Sequence, residues 1–143
     1  MVEVFREKQM NYTRLVITSI AATVVYFVLG GLVFALTPLR NEFRAYPALY
    51  RPMEAMQPLM PLGLFSMFVG IVVLVGLFAM TPQRGALAGI RFGCLAGIFV
   101  VCEFVIHNYV NLNIGFRLTL LQAVAFFFQW TIVGLVIGLL YKT

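Results

Sequence analysis

Four long apolar runs decide what this chain can fold into. Leu15 to Leu36, Leu62 to Met80, Leu87 to Tyr109 and Leu118 to Leu140 each hold roughly 19 to 24 residues, and about 20 helical residues cross the hydrocarbon of a bilayer. Within hydrocarbon the backbone must satisfy its own hydrogen bonds, which an α-helix does alone. The composition agrees: 62% of residues are apolar, 10% are charged and the mean hydropathy is +0.99, a balance that cannot cover a water-soluble surface. The expected fold is all-α, a polytopic membrane protein with four transmembrane helices in an up-down-up-down bundle. Its helices are expected near 14–37, 61–80, 86–110 and 117–141, in a single transmembrane domain covering 1–143.

The connections support that order. Thr37-Pro38 closes the first helix, since proline cannot continue the backbone ladder. The first run exceeds the length of a signal-peptide core, and Thr37-Pro38-Leu39 follows it in place of an Ala-x-Ala cleavage site, so it is expected to remain as a helix. Pro38 to Pro61 is the longest connection. Met53, Met56 and Met60, with Glu54 and Gln57 beside them, predict a short interfacial helix starting near Pro52. Tyr46 and Tyr50 among Arg40, Arg44 and Arg51 fit the headgroup belt, and the whole segment reads as an ordered loop capping the bundle or as a lid over a substrate. Pro82 and Gly85 form a tight hairpin between the second and third helices, and Asn111 to Phe116 a short turn between the third and fourth. Met1 to Thr13 is a polar leader with Glu3, Arg6, Glu7 and Lys8, and Tyr141 with Lys142 makes an interfacial anchor pair.

With four spans both termini share one side. Arg6, Lys8, Arg14, Arg84, Arg91 and Lys142 lie on that side, against Arg40, Arg44, Arg51 and Arg117 on the other, so six against four favours cytoplasmic termini. The net charge of +5 is scattered singly over two membrane faces, which points to anionic lipid headgroups and not to nucleic acid. The expected setting is the inner membrane of a bacterium, and the expected partners are membrane lipids and other membrane subunits or further copies of the chain.

Chemistry concentrates on the third run. Gly85, Gly89, Gly93 and Gly97 recur every fourth residue, and small residues at that spacing let helix backbones approach in lipid. Gly134 and Gly138 offer the same on the fourth run. At about 100° per residue, Gly89 and His107 share one azimuth, with Gly85, Gly93, Glu103 and Asn111 within about 40° of it. One stripe is thus bare backbone first and ionisable afterwards. A carboxylate at membrane depth costs about 2.5 to 3.5 kcal/mol on insertion scales, so Glu103 is expected to face the interior. By depth it lies level with the fourth run between Gln122 and Gln129, which share a face, and the four side chains are expected to form one polar cluster. That cluster reads as polar glue fixing helix register. Sharper readings are a proton relay between Glu103 and His107, or His107 as an axial haem ligand. A metal site needs more ligands than one His and one Glu supply, because Cys94 and Cys102 fall on the other side of the wheel. Arg91 is expected to reach the headgroups or a partner. Trp130, beside Phe126, Phe127, Phe128 and Gln129, makes an aromatic face for packing or for contact with lipid, a pigment, a quinone or another subunit. No cofactor is required by these residues.

Leu49 to Met56 and Ala88 to Gly97 resemble a broad set of uncharacterised four-helix bacterial inner-membrane proteins. The likeness lies in the Arg-Pro-x-x-x-Met loop, the Gly-rich start of helix three and a closing Gly-x-x-x-Gly, here Gly134 and Gly138. That resemblance implies the fold and no activity. Arg44-Ala45-Tyr46 and Glu54 are partly similar to a stretch of the trimeric four-helix glutathione and eicosanoid enzymes, but their spacing and the rest of the chain depart from it. No phosphate loop, Ser/His/Asp set or Cys-x-x-Cys is present. Two functions are expected: a structural or accessory subunit of a larger membrane complex, and a small oligomeric transporter or channel with Glu103 and His107 along its pathway.

Overall fold

The computed structural model describes residues 10–141, so the leader acids and bases Glu3, Arg6, Glu7 and Lys8, and the Lys142 half of the closing anchor, lie outside the described residues. All regular structure among the described residues is helical, and four helices are long and apolar enough to cross a membrane. The chain is an up-down-up-down four-helix bundle.

The first span, α1 (Tyr12–Leu36), starts where Asn11 Oδ1 accepts from the Arg14 amide at 3.0 Å. It stops at Thr37, whose hydroxyl turns back to the Val33 carbonyl at 2.7 Å just before Pro38. A one-turn helix, α2 (Leu39–Arg44), follows at once, where a loop was expected. Its Leu39 packs with Ile114 and Leu118, Glu42 meets Arg117 at 3.2 Å, and the Tyr46 hydroxyl accepts from the Gly115 amide at 2.7 Å. This first half of the long connection therefore caps the end of the bundle.

The second half does something else. Helix α3 (Met53–Met56) appears where the methionines predicted it, but it does not lie apart as an interfacial element. A single 3-10 turn, Gln57–Leu59, carries it into α4 (Met60–Met80), giving one span from Met53 to Met80. Pro58 and Pro61 lack amide donors, and the tighter turn absorbs them without ending the helix. Residues 51–66 are all exposed. Only the lower half of α4 packs, through Ile71, Val75 and Phe78, and it packs on α1.

The hairpin after α4 is held by Arg84. Its guanidinium donates to the carbonyls of Phe78 at 3.3 Å and Ala79 at 2.8 Å and to that of Thr81, capping the end of the helix, and it lies over the rings of Phe78 and Tyr141. Gly85 then takes φ +94°, a conformation that a side chain rarely tolerates. The third span is α5 (Ala86–Val100), a π-helical turn at Val101–Ile106, and α6 (His107–Asn111). The fourth is α7 (Phe116–Leu140), the most buried of the four. In space α7 lies between the third span and α1, and α1 lies between α7 and α4. Beyond the Phe78–Phe92 ring contact near the hairpin, the second and third spans touch little among the described residues, so the bundle is open there.

Candidate functional site

The glycines of α5 and α7 build the tightest seam in the molecule. A Cβ on Gly93 would come within 2.9 Å of Thr131 Cα, and one on Gly89 within 2.8 Å of Gly138 Cα, closer than real side chains ever approach backbone. Gly134 faces Gly93 at 2.6 Å in the same sense, and Gly138 faces Gly89 at 2.7 Å. Gly85 takes part through its carbonyl, which meets Gly138, and Gly97 sits 3.2 Å from Phe127 Cα by the same measure. The helices meet backbone to backbone because no side chain intervenes, which gains dispersion contact where lipid supplies no hydrophobic drive.

The ionisable half of that stripe goes elsewhere. Glu103 and His107 are both exposed, and neither bonds to Gln122 or Gln129. The expected four-residue cluster does not assemble. The cause is the π-helical turn. It adds one residue to the helix, which is about 100° of azimuth, and every later position falls one place behind an unbroken α-helix. A regular helix would continue the seam from Gly97 through Phe104, His107 and Asn111. Instead Val105 is fully buried, Asn108 and Leu112 are half-buried, and Glu103, His107 and Asn111 point outward. At 1.5 Å per residue Glu103 sits about 7 Å from the middle of the span that runs from Ala86 to Asn111, well inside hydrocarbon depth. No third His, Cys, Asp or Glu joins the pair among the described residues.

Gln122 and Gln129 do share a face of α7, but it is turned toward α1 and not toward the third span. Gln129 Nε2 donates to the Tyr26 carbonyl at 2.7 Å, a buried bond that ties the first span to the last. Gly30 permits this approach, since a Cβ there would lie 3.0 Å from the same amide nitrogen. Gln122 is 4% exposed and its Oε1 has no partner. Its side chain lies near Tyr50 outside the membrane spans, where burial pushes the phenol up from its ordinary range and the Gln122 hydrogen bond opposes that shift. Together with α2 these residues enclose a cleft of about 230 Å3 between α1 and α7, walled by Phe27, Phe34, Phe43 and Phe126.

Arg91 is exposed, as a headgroup or partner contact requires. Trp130 is not available for lipid or partner contact. It is 6% exposed, packed 5.1 Å from the Tyr26 ring in the core, because the α7 face that carries it meets both α5 and α1. Phe128 is the exposed member of that aromatic run. Cys94 lies beside the Thr131 hydroxyl at 3.6 Å, at the seam, and Cys102 is exposed. Arg84 has a larger structural role than the sequence suggested. A basic residue just past a helix end is its only sequence signal.

No protein-family model matches this chain, and neither the curated proteins nor the solved structures compared with it contain a match.

Proposed function

We propose that this protein is an accessory subunit of a larger membrane complex, and that the outer face of its third span is where a partner helix binds. The observation that carries the reading is the outward placement of Glu103, with His107 one turn further on, at membrane depth. A charged side chain facing lipid costs about 2.5 to 3.5 kcal/mol at the centre of a span and less toward its ends, and a polar partner on an apposed helix removes that cost. Two features support it further. The π-helical turn that creates the outward face is a feature frequently found at functional sites. The neighbouring half of the second span, residues 53–66, is exposed throughout, leaving room beside the third span for another helix.

The setting proposed is a bacterial inner membrane with cytoplasmic termini. The distribution of basic residues, six against four, supports that placement. A second reading keeps the same residues: copies of the chain associate through this face, and Glu103 and His107 line an ion or proton pathway between them. The pairing of a carboxylate with an imidazole favours it.

A photocrosslinking amino acid at position 103 or 107, activated in native membranes, tests both. Adducts with a different polypeptide support the accessory reading. Adducts only with a second copy support the pathway, and flux measurements with Glu103→Gln in liposomes then follow. Adducts with lipid alone refute both.

A further inference from the structure

We infer that the cleft between α1, α2 and α7 binds a membrane-borne alcohol, a molecule with one hydroxyl head on an apolar body. The cleft lies on the other flank of α7 from the seam with the third span, so the inference does not rest on the proposed subunit role. Its volume of about 230 Å3 would hold about eight groups the size of a water or a methylene. Phe27, Phe34 and Gly31 at its mouth are exposed, which opens it sideways to hydrocarbon.

Gly31 is informative by contrast with the seam. A Cβ there would meet nothing within 4 Å, so close helix packing does not demand glycine at this position. The missing side chain simply leaves the slot empty. At the upper end, about 9 Å below the start of α7, stands Gln122. Its Oε1 is buried and without a partner, which is costly for a carbonyl in an apolar setting. The oxygen calls for a donor, and the amide nitrogen, which takes the same place when the group turns over, calls for an acceptor. A quinone or ester carbonyl meets only the second need, whereas a hydroxyl meets both. A carboxylate or phosphate head would need a cation, and none lines the cleft. A hydroxyl donates to Oε1 and can still accept from the amide nitrogen. The depth agrees with an amphiphile whose head sits under the interface and whose body runs down beside Gly31 and Phe126 toward Gln129.

The test uses the full chain in lipid nanodiscs and an eight-carbon alcohol bearing a diazirine, with labelled peptides read by mass spectrometry. Label is expected within residues 26–34 and 122–129. Unlabelled 1-octanol should compete about tenfold better than octyl methyl ether, which accepts but cannot donate. Gly31→Leu fills the slot without straining the backbone and should abolish the labelling. Gln122→Leu should make alcohol and ether equal competitors. Label spread evenly over the lipid faces of all four spans, label that survives Gly31→Leu, or an ether that competes as well as the alcohol each overturns the inference. If Gln122→Leu fails to fold, Gly31→Leu and the ether comparison still decide.

Discussion

The two halves of the third span share one helix axis and behave in opposite ways. In α5 every fourth residue is a glycine pressed against the backbone of α7. Past Val100 the same helix buries little beyond Val105 and turns its only acid and only imidazole outward. One additional residue in one turn separates these regimes. The comparison teaches that a stripe drawn on a helical wheel is only as long as the helix is regular. The span is also divided by role, because its first half fixes the fold and its second is left free to meet something else.

The largest effect expected concerns the seam. Gly93→Val forces a branched side chain into Thr131 and Trp130 backbone, and a loss of about 3 kcal/mol is expected in unfolding measurements in mixed micelles. A loss under about 1 kcal/mol there would mean the two helices are not held at backbone contact. The hairpin comes next. Arg84→Ala removes charge-assisted bonds to three carbonyls at the end of α4, with an expected cost of about 2 kcal/mol. Lys at that position should restore only part of it, because an ammonium lacks the fork that reaches several carbonyls together. Gln129→Leu breaks the bond to the Tyr26 carbonyl and should cost about 1 kcal/mol, with α1 loosened while the α5–α7 seam stays intact.

The smallest effect belongs to the outward half. Glu103→Leu should leave the stability of the isolated protein within about 0.5 kcal/mol and yet reduce association in native membranes. A strong destabilisation of the isolated chain would mean that Glu103 has a partner inside it. Deletion of Cys102 sharpens the point. Removing one residue converts the wide turn to regular α-helix and keeps Val105 on the seam, so His107→Cys in that background should still react with a lipid-soluble maleimide. A protected thiol would contradict the role given to the turn.

Much of this was legible in the sequence. Apolar runs of membrane length gave the four spans, Pro38, Pro82 and Gly85 gave their ends, and glycines at fourfold spacing gave the residues that α5 and α7 bring together. Each of these follows from local rules: the thickness of hydrocarbon, the missing amide of proline, the missing Cβ of glycine. The expected start of the second helix at Pro61 was too late because a proline only breaks a helix that cannot tighten locally, and one 3-10 turn was enough to carry Met53 into the second span.

Local rules thus settle an inventory: four crossing helices, a small-residue face on two of them, and a handful of polar side chains at membrane depth. The tertiary structure alone decided how those polar groups are shared out. Gln129 reached α1 and not the third span, Trp130 went into the core, and Glu103 and His107 turned outward. The physical reason is that azimuth accumulates along a helix. A single π-helical turn shifts everything beyond it by about 100°, and whether that turn forms depends on how well each register packs against the neighbouring helix.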